Sequence, residues 1–491
     1  MRRRTVLTAA ALGAVGSLIG LPACSVFNSP SAAPTPSPAM PPGPDAVPDA
    51  LSDQHLWPGG SHVRSTVTAV REHFLTGAVQ ATEATAYVQG MCPVVVDLNG
   101  PTTWGVLLDD DGRWTTRQVV PDSKAGPGER DPDDNQPTTM LVAGPAVIDY
   151  THAYTVVAAL AGVPYNQEYY SQPDDACPVS LLKVDLADGS LDAVTTVSES
   201  WPASAIRHLC LSFTQDRAGL LLTGAPDTDE GSFRKETYAH IGLRLSTEDL
   251  SVELDSHDLL RGRGYDMVSP CGQAVVGKTE FGREWLLVCL EDGTLIRPSE
   301  DAYPHLVRDG WFYYQQERSL RAQELGSKEA ITVTDMDIQT SNGSYWPEIY
   351  SDQPEIIQIG RSSASGIEAL RVLRPGQTTP TVSWNGEDKV PDGACVCGDV
   401  LYAWYQEDAS GHLRVEMISL SEGEEGDALG TCETGEMTVT VDDSPVVTAW
   451  GVAVGDRFYA ATQWLDGVPQ QPTGTASPGP ASPQASSSPT G

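Results

Sequence analysis

The amino-acid sequence predicts an all-β protein built as a β-propeller, with eight four-stranded blades favoured over seven. Glycine and proline are frequent, at 46 and 37 of 491 residues, which indicates many turns and argues against long helices. A short motif also recurs along the chain: an alternating apolar run, an acidic or glycine-containing turn, and a second run. Repeated short strands of this kind are typical of a propeller.

The recurring motif is that of a β-hairpin with Asp-Gly, Glu-Asp or Pro-Gly at its turn. Its copies lie at 105–120, 181–197, 242–254, 286–297, 369–384 and 415–425. Most copies are preceded by another pair of short strands, as at 146–160 and 305–314. Units of four strands therefore begin near Ala84, Leu141, Ala205, Tyr265, Pro304, Ser344 and Ala394, and an eighth occupies 446–464.

The eighth unit shows only two strands, whereas a closed ring needs its last blade completed. Residues 61–83 can supply the two outer strands, so that N- and C-terminal strands share one blade. An alternative stays open, because Val63, Val67, Val70 and Phe74 fall at helical spacing and this stretch could instead contain a short helix.

The N-terminus has the pattern of an export signal. Residues 2–4 are arginines, and the uncharged stretch after them is too short for a permanent membrane span, which is typical of a signal peptide over 1–23. The stretch ends in Leu-Pro-Ala-Cys and resembles the lipobox of bacterial lipoproteins, which implies that Cys24 is acylated. A plain secretory signal is the alternative, and the arginines leave the twin-arginine and the general secretory routes open.

The remaining chain divides into three parts. Residues 24–50 are a lipidated cysteine followed by a proline-rich spacer, which we expect to be disordered. Residues 51–468 form the propeller, and the uncharged Pro/Ser/Thr-rich tail at 469–491 is predicted to be disordered. We therefore expect a protein at the cell membrane, held by its N-terminal lipid on the extracytoplasmic face.

Charge and cysteine content narrow the function. Thirty basic against 66 acidic residues give a formal net charge of −36, which excludes nucleic acid as a partner. Eight of the nine cysteines remain when Cys24 is set aside. The sequence contains no Cys-x-x-Cys pair, which is the spacing typical of a zinc site. Disulfides in an oxidising compartment are the better interpretation.

One disulfide follows from a hairpin hypothesis. If 271–289 folds as a hairpin about Glu280, positions that sum to 560 face each other, so Cys271 lies directly opposite Cys289. A slip of one residue would turn the sulfurs to opposite faces. Two buried free thiols are the alternative.

The run from Leu182 to Gly189 resembles the A-x-D-x-x-T-G repeat of quinoprotein-like propellers. Asp185 and Gly189 match that repeat, while Asp188 replaces its threonine. The resemblance implies the propeller architecture. It also implies two kinds of activity, because some propellers of this group are pyrroloquinoline quinone dehydrogenases and others are envelope lipoproteins that act as scaffolds.

A search for catalytic motifs finds none that fits its structural context, so no catalytic residue and no metal ligand is assigned. Ser180 and Lys183 match Ser-x-x-Lys but lie in an alternating strand, and the nine histidines are scattered. No cofactor is expected, apart from a weak Ca²⁺ pattern at Asp131, Asp133 and Asn135, in which Gln136 replaces the usual turn glycine.

Three long acidic loops, at 121–139, 162–178 and 224–236, are predicted to open on one face of adjacent units. Aromatic side chains among carboxylates are typical of a recognition surface. Ordinary solvated loops are the alternative. The candidate binding rim consists of Asp131, Asp133, Asp134, Tyr165, Tyr169, Tyr170, Asp174, Asp175, Asp227, Asp229 and Glu230.

We therefore expect a membrane-tethered propeller that acts as a binding or scaffold module for an unknown protein or glycan. The alternative is an enzyme, either a quinoprotein-like oxidoreductase or another propeller enzyme such as a hydrolase. A bound chromophore or stoichiometric metal in the purified protein would favour the enzyme.

The lipid anchor gives the first testable prediction. Cys24→Ser should release the protein from the membrane fraction, because the substitution removes the sulfur that carries the acyl chain. Fractionation of cells followed by immunoblotting measures this. If the variant stays in the membrane pellet and the wild-type protein is itself found mainly at the unprocessed size, a retained signal segment holds the protein and the anchor hypothesis is wrong.

Overall fold

The computed structural model describes the part of the chain between residues 79 and 460, with gaps. The described ranges are 79–81, 85–88, 93–97, 103–109, 111–119, 138–149, 151–163, 176–225, 240–261, 263, 265, 267–279, 284–317, 319–337, 345–349, 356–362, 366–384, 389–397, 400–406, 413–421, 423, 425–433, 446–448, 451–454 and 457–460. The predicted signal peptide, lipid anchor, spacer and tail lie outside them. Among the described residues there is no helix long and apolar enough to cross a membrane.

The described strands form eight antiparallel sheets in chain order. Sheet 1 contains β1 (Val79–Ala81), β2 (Thr85–Val88), β3 (Val94–Asp97), β4 (Thr103–Leu108) and β5 (Trp114–Val119). Sheet 2 contains β6 (Thr138–Ile148), β7 (His152–Val163), β8 (Ala176–Asp185) and β9 (Leu191–Pro202). Sheet 3 contains β10 (Cys210–Phe213), β11 (Gly219–Gly224), β12 (Ile241–Ser246) and β13 (Val252–Asp255). Sheet 4 contains β14 (Met267–Pro270), β15 (Ala274–Lys278), β16 (Trp285–Cys289) and β17 (Leu295–Ile296).

The second half repeats the arrangement. Sheet 5 contains β18 (Ala302–Arg308), β19 (Trp311–Gln316), β20 (Ser319–Glu324) and β21 (Ala330–Asp337). Sheet 6 contains β22 (Tyr345–Ile349), β23 (Ile356–Ser362), β24 (Gly366–Leu373) and β25 (Val382–Trp384). Sheet 7 contains β26 (Gly393–Cys397), β27 (Val400–Gln406), β28 (Leu413–Ser419) and β29 (Ala428–Glu433), and sheet 8 contains β30 (Val446–Thr448), β31 (Gly451–Val454) and β32 (Arg457–Ala460). One short α-helix, α1 (Ser256–Leu260), and a 3-10 turn at Ala203–His208 join sheets in the described part of the chain.

Successive sheets pack against each other, and the succession closes on itself. Strand β1 contacts both β6 and β30, which makes the first and last sheets neighbours, and β30 also contacts β26. Strand pairs β6 with β10, β11 with β14, and β15 with β18 join sheets 2 to 5. Shared apolar clusters join sheet 5 to sheet 6 through Leu306 and Leu373, and sheet 6 to sheet 7 through Leu370 and Ala394. This closed succession of antiparallel meanders, six of them four-stranded among the described residues, is a β-propeller.

Burial follows the position of a strand within its sheet. All six residues of β11 are buried, because this strand is covered on both faces. The outermost strand β9 alternates between exposed and half-buried residues over its first half. Trp201, at the end of β9, is 0% exposed and packs with Leu181 in the largest apolar cluster. The core therefore lies between the sheets.

The hairpin predictions are confirmed, because five motifs coincide with the last two strands of sheets 1 to 4 and 6, and the sixth, at 415–425, covers β28 of sheet 7 and the turn that leads to β29. The number of blades stays a prediction, since the described strands give five to sheet 1 and three to sheet 8. The predicted sharing of one blade by the two termini is not found in the described part of 61–83. There Val79 pairs with Val88, so β1 belongs to sheet 1, and 61–78 lie outside the described residues.

The predicted register about Cys271 and Cys289 is wrong. The residue opposite Cys289 is Ala274, and the Cys271 N–H donates to the Ala274 carbonyl, because Gly272 and Gln273 form a two-residue turn there. The two cysteines thus lie on either side of Ala274, about 9–10 Å apart at the Cα atoms, which exceeds the span of a disulfide. Both are buried free thiols, which was the alternative interpretation.

The turn between β8 and β9 explains the residues of the quinoprotein-like repeat. Asp185 Oδ1 accepts from the Ala187 N–H at 2.6 Å, and the Gly189 N–H donates to the Asp185 carbonyl at 2.9 Å. Gly189 has φ +68°, and a Cβ there would lie 2.3 Å from Trp104 Cγ in sheet 1. The aspartate closes the turn, and the glycine allows sheet 2 to approach sheet 1.

This contact gives a stability prediction. Gly189→Ala should lower the free energy of unfolding by about 2–4 kcal/mol. The alanine would have to adopt an unfavourable positive φ, and its Cβ would clash with the Trp104 ring. Urea denaturation followed by circular dichroism measures the loss.

Gly112→Ala is the matched control. Gly112 also lies in a hairpin turn with φ +76°, but nothing lies within 4 Å of a Cβ built there. Its loss should be only about 1 kcal/mol. Equal losses in the two variants would show that the contact with Trp104 contributes nothing.

Candidate functional site

Each sheet is an antiparallel meander, so its connections lie alternately at the two ends of its strands. We call one of these ends the upper face. It carries the connection between the second and third strands and the connection to the next sheet. The opposite end, which carries the other two connections, is the lower face. In sheet 1 the strands are counted from β2.

The three predicted acidic loops all join strand ends on the upper face. They connect β5 to β6, β7 to β8, and β11 to β12. Thr138, near the end of the first predicted loop, pairs with Val163, near the start of the second, and β6 contacts β10 of the next sheet. The ends of the loops therefore lie in neighbouring strands and sheets. The rim residues themselves lie outside the described residues: Asp131, Asp133, Asp134, Tyr165, Tyr169, Tyr170, Asp174, Asp175, Asp227, Asp229 and Glu230.

An aromatic cluster occupies the same face of sheets 4 and 5. Lys278 and Trp285 pair where β15 ends and β16 begins, and the Lys278 Nζ lies 4.8 Å from the centroid of the Trp285 ring. Tyr303, near the start of β18, meets the Trp285 ring edge-on at 5.5 Å and lies 5.5 Å from the His305 ring. Tyr303 is 54% exposed. An exposed ring held by two aromatic neighbours is a suitable anchor for a partner.

His240 and His257 form a stacked pair directly after the third acidic loop. Their ring centroids are 3.8 Å apart, and the His240 Nε2 lies 3.0 Å from the Ser256 hydroxyl oxygen. The His257 Nε2 donates to the His240 carbonyl oxygen at 2.9 Å. Burial, together with the neighbouring His257, lowers the pKa of His240 to about 3. A neutral, packed imidazole therefore holds the end of this loop against α1.

A second cluster lies on the lower face of sheet 2. His152 begins β7, Asp185 ends β8 and Asp192 lies in β9, and one ligand atom from each falls within 4.8 Å of the others. The shortest separation is 3.0 Å, between His152 Nε2 and Asp192 Oδ2.

Asp149 organises the turn that precedes this histidine. Its Oδ1 accepts from the backbone N–H groups of Thr151 and His152 and from the Thr151 hydroxyl, and its Oδ2 accepts from the Tyr154 hydroxyl. Burial favours the neutral acid, yet these hydrogen bonds outweigh it and lower the pKa of Asp149. The pKa of Tyr154 is raised by its burial and by the Asp149 carboxylate. This turn thus holds an ionised carboxylate below the histidine.

Neither the aromatic cluster nor the histidine–aspartate cluster was predicted from the sequence. His152 is 33 residues from Asp185 along the chain, and only the register of β7 with β8 pairs them. Ser180 and Lys183, by contrast, lie in strand β8 as expected.

No family model matches this chain, and no curated protein matches its sequence. Among solved structures, it is similar to a prolyl endopeptidase, with TM-score 0.39, 9% identity, and coverage of 77% of this chain and 53% of that one. A computationally designed protein, Ika8, gives TM-score 0.38, 9% identity and coverage of 78% and 95%. BamB from Moraxella catarrhalis gives TM-score 0.31 and 9% identity, with coverage of 65% of this chain and 83% of that one.

This chain spans about half the length of the endopeptidase. All three TM-scores are below 0.4, so the propeller assignment rests on the strand order and on the closed succession of sheets. The resemblance of the Leu182–Gly189 run to a quinoprotein repeat stays a prediction.

The His240 pair gives a pH prediction. His240 has a pKa of about 3 in the folded chain and about 6.5 when unfolded, so the unfolded state binds the extra proton between these values. The free energy of unfolding should therefore fall as the pH decreases from 6.5 towards 3, by at most about 1.4 kcal/mol per pH unit from this residue. His240→Asn should remove that component, measured by urea denaturation from pH 7 to pH 5.

His257→Asn is the control, since it retains the buried ring of His240. Its slope of stability against pH should stay close to that of the unmodified protein. A slope in His240→Asn equal to that of the unmodified protein would contradict the assignment.

Proposed function

We propose that this chain is a lipid-anchored, extracytoplasmic β-propeller that binds a basic protein partner through its upper face and acts as a binding or scaffold module. The observation that carries the proposal is that the strand ends joined by three acidic connections all lie on the upper face of three successive sheets. The lipid and the location rest on the Cys24 motif alone.

Charge supports a basic partner. The formal net charge is −36, and the three upper connections contain Asp131, Asp133, Asp174, Asp227 and Asp229 among their carboxylates. Closely spaced like charges create a negative potential that attracts a cationic surface and speeds its encounter. Salt weakens such an attraction, because the Debye length falls from about 10 Å at 0.1 M to about 3 Å at 1 M.

The aromatic cluster supports binding rather than attraction alone. Tyr303 is exposed and oriented by Trp285 and His305, so little side-chain entropy is lost when a partner covers it. The proposed interface therefore combines a negative region, over sheets 1 to 3, with an aromatic anchor on sheets 4 and 5.

The test compares two variants of equal charge change. The upper variant carries Asp131→Asn, Asp133→Asn, Asp174→Asn and Asp229→Asn, and the lower variant carries Asp111→Asn, Asp188→Asn, Asp249→Asn and Asp292→Asn. Full-length tagged protein captures partners from membranes, and the purified partner's affinity is then measured for each variant. We expect at least a tenfold loss in the upper variant, little change in the lower one, and weaker binding at higher salt.

Equal losses in both variants would reduce the effect to overall charge. Binding that is unchanged in the upper variant and independent of salt would contradict the proposed surface, and a neutral glycan ligand would give this result.

A further inference from the structure

We propose that the lower face of sheet 2 binds one divalent transition-metal ion of the zinc type, with His152 Nε2 and one carboxylate oxygen each from Asp185 and Asp192 as its protein ligands. This site is separate from the upper face and does not depend on the proposed partner.

The three side chains project from adjacent strands of one sheet. His152 pairs directly with Asp185 across β7 and β8, and Val184 pairs with Leu191, so Asp192 lies one position further along β9. Zn²⁺ bonds to nitrogen and oxygen ligands at about 2.0–2.2 Å, which places the ligand atoms of a tetrahedral site about 3.4 Å apart. The donor atoms here lie within 4.8 Å of one another, with the closest pair at 3.0 Å. Small side-chain rotations therefore suffice to close the site.

The hydrogen bonds around His152 fix the orientation of its ring. The Thr151 hydroxyl oxygen lies 2.9 Å from Asp149 Oδ1 and 2.8 Å from His152 Nδ1. The other ring nitrogen, Nε2, faces Asp192 Oδ2 and is the nitrogen that can bind an ion together with the two carboxylates.

With Nδ1 as the donor to Thr151, this arrangement is the one that suits a metal-bound histidine. A ligating imidazole usually donates its second N–H to an oxygen that is itself hydrogen-bonded, which fixes the ring and strengthens the ligand. Asp149, Thr151 and His152 form such a chain, and Tyr154 holds the far oxygen of Asp149 at 3.2 Å. Thr151 is thus a positioning residue for the site.

The donor set selects the class of ion. Ca²⁺ and Mg²⁺ prefer sites made of oxygen atoms alone, whereas one imidazole with two carboxylates suits Zn²⁺ and its neighbours in the first transition series. The three partly exposed protein ligands leave room for a water molecule at a fourth position.

The experiment uses the full-length protein, stripped with a chelator and titrated with ZnCl₂ by calorimetry, with bound zinc counted by elemental analysis after dialysis. We expect one saturable site at His152, Asp185 and Asp192, and no comparable binding of CaCl₂ at the same concentrations. Asp192→Asn and His152→Gln should each weaken zinc binding at this site at least tenfold. Asp188→Asn is the matched control, because it neutralises an exposed carboxylate of the same hairpin, and it should bind zinc as the unmodified protein does.

Circular dichroism separates loss of the site from loss of the fold. If the ligand variants unfold, Thr151→Val decides, because it keeps all three ligands and removes only the hydroxyl that contacts Nδ1 and Asp149, and it should weaken binding about tenfold. Equal binding by every variant would assign the zinc to the acidic surface or to the thiols and would overturn the proposal. The absence of a saturable site at millimolar zinc would also overturn it.

Discussion

The inner strands of this propeller are covered on both faces, and most of the other features depend on this constraint. A strand such as β11 has no exposed residue, so its sequence carries only small or aliphatic side chains and threonine. Where a turn of one sheet touches the next, the same constraint requires a missing side chain, as at Gly189 beside Trp104. Since the broad surfaces of the sheets are used for packing, polar groups that act on other molecules lie at the strand ends, on the upper and lower faces.

Carboxylates on the lower face are part of the turns there. On the lower face, aspartates in the short turns bind backbone N–H groups two residues further on, as Asp188, Asp216 and Asp249 do. Hydrogen bonds from serine and threonine side chains and from the backbone lower the pKa of all three, so these charges belong to the turns. The three acidic connections on the upper face are longer than these turns, and the first of them joins sheet 1 to sheet 2. Part of the net charge is therefore structural, and the charge available for recognition is smaller than the composition suggests.

Local turn chemistry made the fold predictable. Asp-Gly and Pro-Gly turns mark where the chain reverses, and Gly189, Gly293 and Gly376 all have positive φ in the structure. Pairings between distant segments were not predictable in this way. Cys271 was assigned to the hairpin that ends at Cys289, whereas the tight turn at Gly272 places it directly after β14. The same limit applies to His152, whose relation to Asp185 and Asp192 depends on the register of two long strands and the hairpin that follows them.

The two buried thiols of sheet 4 lie at its junction with sheet 5. Gly272 forms a bridge with Val307 of β18, and the backbone of Cys271 and Gln273 exchanges hydrogen bonds with the same residue. Burial raises the pKa of both thiols, that of Cys289 to about 12, so almost no thiolate exists at neutral pH while the junction is closed. Only the thiolate reacts with alkylating reagents. The rate at which such a reagent labels Cys271 and Cys289 therefore measures how often the junction between these two sheets opens. Labelling of these two native thiols thus reports opening of the ring.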